Sequence, residues 1–245
     1  MNHLIFLLAI ISLTILIVIW LKNHLHTSSQ EKSELAIWLS QQANQQQMIQ
    51  NAIQFSTLYQ SINSQAISVQ ERKRLNRDDD VFIYGEIDFI SFAKILALVS
   101  PKSGEIFYDL GSGAGKAVYA AAILYDFSKT VGVELLPGLH DVAQSLCDTF
   151  QKLFQSLFVK DRIVFINADI LHVDLSIANV IFINATCFNY TLWQKILSKI
   201  ANLKIGTRVI VVSKKVNHSA YQLISESFEW MSWGLSVVRV YQKIS

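Results

Sequence analysis

Asp109 stands just ahead of an alternating glycine run, Gly111-Ser112-Gly113-Ala114-Gly115-Lys116, and Glu134 closes a second segment, Val131-Gly132-Val133-Glu134. The apolar stretch Ile106 to Leu110 reads as a buried strand, and the Ala-rich stretch Ala117 to Leu124 as a helix. Glycines at a strand-to-helix turn accept positive φ and let a ligand approach the backbone closely. The helix beginning there presents unpaired N–H groups. A second strand over 130–135 delivers Glu134 at its end, where a carboxylate can clamp a ribose diol. Together these residues predict a nucleoside-cofactor site in an α/β domain.

Three cofactors compete for it. A phosphate-cradling loop needs G-x-x-x-x-G-K-[ST], but Ala117 follows Gly115-Lys116 and Leu110 occupies the first glycine position. The dinucleotide pattern G-x-G-x-x-G/A fails in both registers, because its third position falls on Lys116 or Val118. What remains is G-x-G-x-G with an acid ahead of it. Asp109 can pair with an α-amino group, which S-adenosylmethionine carries and NAD lacks. S-adenosyl-L-methionine is therefore the expected cofactor, bound through Asp109, Gly111, Gly113, Gly115 and Glu134. Asp169, after a later strand, is a candidate for the adenine amino group.

The elements that must position these residues follow from the pattern downstream of Val81. Strands are expected at 105–110, 130–135, 162–167, 179–184 and 207–213, and helices at 88–99, 115–125, 138–157, 189–203 and 218–228. This alternation implies a Rossmann-like, doubly wound, mostly parallel sheet with helices on both faces. Two short runs, 230–234 and 236–244, are expected to form a C-terminal antiparallel hairpin. Ligands in such sheets sit outside the carboxyl ends of the strands, and Asp109, Glu134, Asp169 and Asn184 all fall there.

The N-terminal third differs. Leu4 to Leu21 is apolar except for Ser12 and Thr14, and no charged side chain precedes Lys22. At ~1.5 Å per residue it would cross most of the ~30 Å hydrocarbon layer. No small-residue cleavage site follows, so residues 1–22 are expected to be a retained single-pass membrane anchor rather than a signal peptide. Lys22 places the catalytic domain in the cytosol. Residues 23–80 are rich in Gln, Asn and Ser, with Leu35, Trp38, Leu39, Ile49, Ile53 and Ile62 at roughly helical spacing. They are expected to form one or two juxtamembrane helices, and self-association through them stays open although the Gln run interrupts any sustained heptad. Glu71 to Asp80 reads as a solvated segment, and the catalytic domain as 81–245.

Several classes are excluded. The net charge is +2 and no basic run exceeds Arg72-Lys73-Arg74, which Asp78-Asp79-Asp80 offsets soon after, so no nucleic-acid footprint is present. Cys147 and Cys187 make no disulfide framework, and no Cys/His group has metal-ligand spacing.

Tyr84-Gly85-Glu86-Ile87, Phe107 to Val118, Val131 to His140, Phe182 to Phe188 and Ser232-Trp233-Gly234 together resemble the Dot1 type of protein lysine methyltransferase. The resemblance implies a class I, seven-stranded methyltransferase fold over about 81–245. It implies that the loop of Tyr84 and Glu86 folds over the methionine end of the cofactor. It also implies that Asn184, Phe188 and Trp233 border a channel for a substrate lysine, with Tyr84 beside the reacting groups. The strongly basic segments that grip nucleosomal DNA have no counterpart here, and the strand end reads Asn184-Ala185 where eukaryotic members carry Asn-Asn. A protein lysine is thus the expected acceptor. A small-molecule or lipid acceptor, or a non-catalytic partner-binding role, are the alternatives.

Overall fold

The computed structural model describes residues 29–76, 85–157 and 159–245. The expected membrane span over 4–21 and the loop residue Tyr84 lie outside them. Among the described residues no helix is long and apolar enough to cross a membrane. The chain divides into two compact units, Met1–Gln54 and Phe55–Ser245.

In the first unit, helix α1 (Ser29–Ser40) is followed by the start of α2 (Gln45–Tyr59). Leu35, Ala36, Leu39, Met48 and Ala52 are its buried apolar residues, whereas Trp38, Ile49 and Ile53 are only half-buried. The second unit opens with the end of α2, followed by α3 (Ser64–Arg74) and α4 (Phe89–Ala97). It continues through β1 (Ile106–Leu110), α5 (Lys116–Leu124), β2 (Lys129–Glu134), α6 (Pro137–Ser145), α7 (Cys147–Leu153) and β3 (Ile163–Asn167). β4 (Val180–Asn184), α8 (Tyr190–Ile200), β5 (Arg208–Val212), β6 (Tyr221–Met231) and β7 (Gly234–Lys243) complete it.

The strands form a seven-stranded sheet in the order β3-β2-β1-β4-β5-β7-β6. β1 to β5 are parallel, and β7 runs antiparallel between β5 and β6. Apolar strand residues such as Ile181, Ile183, Val209 and Val211 meet Trp193, Ile196 and Ile200 of α8 in one core. On α4, Phe92 is fully buried and meets Phe182 and Phe107 edge-on, with ring centroids 5.3 and 6.1 Å away. Burial of one such ring contributes about 1.5–3 kcal/mol. Asp88 starts α4 by accepting from Ile90 and Ser91 N–H at 2.9 Å, and Asn189 starts α8 by accepting from Leu192 N–H at 2.9 Å.

Three expectations are corrected. The helix expected over 218–228 is strand β6, and the hairpin is accordingly much longer than the two short runs predicted. The Tyr221–Met231 segment has apolar residues on both faces, and a register shift between Leu223 and Ser225 breaks the strict alternation that marks a strand. The helix expected over 138–157 is two helices, α6 and α7, separated at Leu146.

Residue Glu71 is the third correction, because it is buried rather than solvated. Its carboxylate takes a bidentate pair from Arg74, at 2.8 and 2.9 Å, and accepts from Gly138 N–H at 3.0 Å in the first turn of α6. Those hydrogen bonds, Arg74 first, hold the Glu71 carboxyl below the usual range despite its burial. A Cβ at position 138 would come within 2.5 Å of Glu71 Cγ, so the glycine is what lets α3 reach α6. Helix α3 therefore belongs with the sheet, not with a linker. Glu71→Ala removes this cap at a cost of about 1 kcal/mol. It is expected to lower the urea midpoint and to speed tryptic cleavage within Arg72-Lys73-Arg74.

Candidate functional site

The strand order reverses between β1 and β4, and a cavity of about 610 Å³ opens at the carboxyl ends of those strands. The glycine loop forms its floor. Gly111, Gly113 and Gly115 have φ of 90°, 53° and 83°, the left-handed region that side chains disfavour. Space matters as well at two glycines. A Cβ at position 115 would lie 2.7 Å from the Phe165 ring, and one at Gly132 would lie 2.7 Å from Ser112 Oγ.

The loop is fixed by Glu134. This buried carboxylate accepts from Gly113 N–H and Leu136 N–H, both at 2.8 Å. Burial raises its affinity for a proton and these N–H donors oppose that shift. Asp109 is 4 % exposed and lines the same cavity, yet its carboxyl group makes no hydrogen bond among the described residues. Burial, and secondarily the charge of Glu134, push its pKa up to about 8. With two N–H donors on the Glu134 carboxylate and none on Asp109, it is Asp109 whose charge is left without support. The hydroxyl of Ser112 is also buried without a partner.

The roof is assembled from distant parts of the chain. Glu86 N–H donates to Ser232 Oγ at 3.1 Å, and Ser232 N–H donates to the Glu86 carbonyl at 3.2 Å. The Trp233 indole, donating to Ser236 Oγ at 3.0 Å, lies where any Cβ on Gly85 would be, within 2.4 Å. Only glycine lets the tryptophan cover this loop. The Glu86 carboxylate is not a lone acid: Lys116 Nζ lies 2.5 Å from it.

The far wall comes from the end of β4. Asn184 Oδ1 accepts from Thr186 Oγ1 at 2.9 Å, and the Thr186 hydroxyl is 3.0 Å from Ser213 Oγ. The Phe188 ring reaches over the loop to within 3.8 Å of where a Gly111 Cβ would stand. Asp169 Oδ1 accepts from Leu171 N–H at 2.8 Å, which turns the chain after β3 and sets the acid at the rim.

Residues 65–242 match the family "Histone methylation protein DOT1". The chain belongs to that family. DOT1 relatives include the histone-lysine N-methyltransferase, H3 lysine-79 specific, of Caenorhabditis elegans, 32% identical over 139 residues, or 54% of this chain and 15% of that protein. The protein described in the same words from Eremothecium gossypii is 26% identical over 155 residues, 60% of this chain and 27% of its own length. The chain thus spans less than a third of either relative. Among solved structures, TrmN from Thermus thermophilus shares the fold, with a TM-score of 0.54 and 18% identity over 67% of this chain and 52% of that one.

Membership agrees with the S-adenosylmethionine-dependent methyltransferase domain expected from the motifs. The cavity suits that cofactor: a backbone cradle that Cβ atoms would fill, an unpartnered buried acid for an ammonium, and a second acid held for a diol. Of the residues singled out for DOT1-type chemistry, Glu86, Asp109, Gly111, Glu134, Asp169, Asn184, Phe188 and Trp233 all line it. Gly113 and Gly115 shape the loop from behind. Lys116 and the α3 residue Ser68, which also line the cavity, were not anticipated. Lys116 was visible within the glycine motif, whereas nothing in the sequence around Ser68 marks it.

An acid with its pKa near 8 disfavours ionisation in the empty fold, so Asp109 costs stability as pH rises from its ordinary value of 3.8 to about 8. A bound ammonium reverses this by favouring the carboxylate. Binding of S-adenosylmethionine at pH 6.5 is thus expected to release close to one proton. Calorimetry in buffers of differing ionisation enthalpy measures it, and Asp109→Asn should abolish the release.

Proposed function

We propose that the protein transfers methyl groups from S-adenosylmethionine to the ε-nitrogen of lysine in a protein substrate, and that residues 4–21 tether it to a membrane with the catalytic unit in the cytosol. The observation that carries the reading is the convergence, in one cavity, of Asp109 and Glu134 on the donor side with Asn184, Phe188 and Trp233 on the other. Kinship with H3 lysine-79-specific enzymes supports lysine as acceptor. The weak net charge of +2 argues against a nucleosome held through its DNA.

The cofactor supplies an electrophilic methyl group on a sulfonium, displaced in line by a neutral amine. The chain supplies alignment and a dry passage, and alignment alone contributes ~7–11 kcal/mol. Free lysine has a pKa near ~10.4, so its proton must leave first. An aromatic channel of Phe188 and Trp233 disfavours the ammonium by desolvation. Asn184, whose Oδ1 accepts from the Thr186 hydroxyl, would orient the incoming amine. Asp109 and Glu86 would receive the ammonium of the cofactor, Glu134 its ribose, and Asp169 its adenine.

Incubation of membrane lysate with labelled S-adenosylmethionine should place label on lysine ε-nitrogens, read by mass spectrometry. Label confined to the lipid extract, or to RNA or DNA, would overturn the acceptor assignment. Phe188→Ala is expected to lower turnover by at least about tenfold while cofactor affinity changes less than about threefold. Alkaline carbonate should leave the full chain in the membrane pellet, and chain starting near Thr27 in the supernatant.

A further inference from the structure

Glu86 and Lys116 place two opposite charges side by side on the cavity wall. Their atoms lie 2.5 Å apart, and the side chains are 27% and 24% exposed. An ion pair that open to solvent contributes little to stability, so the fold gives no reason of its own for it. The lysine is nonetheless held in place. It is the first residue of α5, directly after Gly115, and its Nζ lies 5.1 Å from the ring centroid of Tyr59. The Tyr59 hydroxyl in turn donates to the Ala114 carbonyl of the glycine loop at 3.0 Å. A tyrosine that grips the loop and faces the lysine thus fixes the cation relative to the floor of the cavity.

Two adjacent ions of opposite sign complement a zwitterion. The amino-acid end of S-adenosylmethionine is one, with an ammonium and a carboxylate on the same carbon. Asp109 and Glu86 can both serve the ammonium. Without a cation, the carboxylate would enter a wall of acids: Glu86, Asp109, Glu134 and Asp169 all line the cavity. The other lining lysine, Lys195, belongs to α8 on the acceptor side.

We propose that Lys116 is the counter-ion of the cofactor's α-carboxylate, and that it exchanges Glu86 for this carboxylate while Glu86 turns to the ammonium. One intramolecular ion pair is replaced by two intermolecular ones, with no bare charge left behind. This rests on the cavity being an S-adenosylmethionine site. It adds a selectivity which that reading lacks, since nucleosides bearing a whole amino acid are preferred over those bearing only an amine.

Three neutral-sulfur ligands separate the terms by calorimetry: S-adenosylhomocysteine, its decarboxylated analogue 5′-(3-aminopropylthio)-5′-deoxyadenosine, and 5′-methylthioadenosine. Wild-type protein should bind S-adenosylhomocysteine at least about tenfold more tightly than the decarboxylated analogue, the size of one charge-assisted contact. Lys116→Gln should erase that difference while leaving affinity for the other two within about twofold, and Lys116→Arg should keep most of it. Glu86→Gln should instead weaken both amine-bearing ligands. A wild-type protein that binds the decarboxylated analogue as tightly as S-adenosylhomocysteine overturns the proposal without any variant. So does a Lys116→Gln protein that weakens the two amine-bearing ligands equally, for then the lysine acts only by holding Glu86. Failure of wild-type protein to bind any of the three removes the cofactor reading itself.

Discussion

A single buried carboxylate, that of Glu134, carries the geometry of the cavity. One oxygen takes the N–H of Gly113 and the other the N–H of Leu136, so the glycine loop after β1 and the turn into α6 are fixed to the end of β2 together. The cost of burying a carboxylate is offset by those two donors, because a charged acceptor makes hydrogen bonds of ~1.5–3 kcal/mol each. Strand pairing brings the two loops to the same level, with Leu110 opposite Val133. The remaining loop contacts follow, as Gly111 and Ser112 N–H both donate to the Val133 carbonyl. Three left-handed glycines at alternate positions, 111, 113 and 115, are tolerable only because the loop is held from below in this way.

The layers above the loop were legible in the sequence to different depths, and for physical reasons. β1, β2, β3, β4 and β5 are short apolar runs bounded by turn residues, so they appear almost where periodicity puts them. The acids at their ends follow, because a parallel sheet sends every carboxyl end to one rim. β6 failed to appear as a strand because its solvent face carries Leu223, Ile224 and Phe228, all about half exposed or more, while Glu229 points inward to pair with Lys94 at 2.8 Å. A pattern that relies on polar-out and apolar-in alternation is blind to such a strand. Helix α3 was hidden differently. Its few buried residues, Ser64, Ser68 and Glu71, are polar, so its attachment through Glu71 to Gly138 leaves no hydrophobic trace.

The roof shows the limit of motif reading most clearly. Gly85 and Trp233 were each singled out, but the reason they need one another lies across the fold: the indole occupies the volume of the missing side chain. Neither the pairing of Glu86 with Ser232 nor that with Lys116 can be inferred from spacing, since the partners are separated by 146 and 30 positions.

Electrostatics give the cavity a direction as well as a shape. Its lining holds four acids against the two lysines Lys116 and Lys195. Asp109, whose carboxyl makes no hydrogen bond among the described residues, answers that excess with a raised affinity for a proton. A ligand with a sulfonium and an ammonium replaces that proton with fixed positive charge in a poorly solvated space, where charge interactions are stronger than in water. A product of methyl transfer would carry a neutral sulfur and one positive charge fewer, against the same acids. By charge alone such a lining would favour the sulfonium donor over the neutral-sulfur product, a bias toward product release that would require no movement of the sheet.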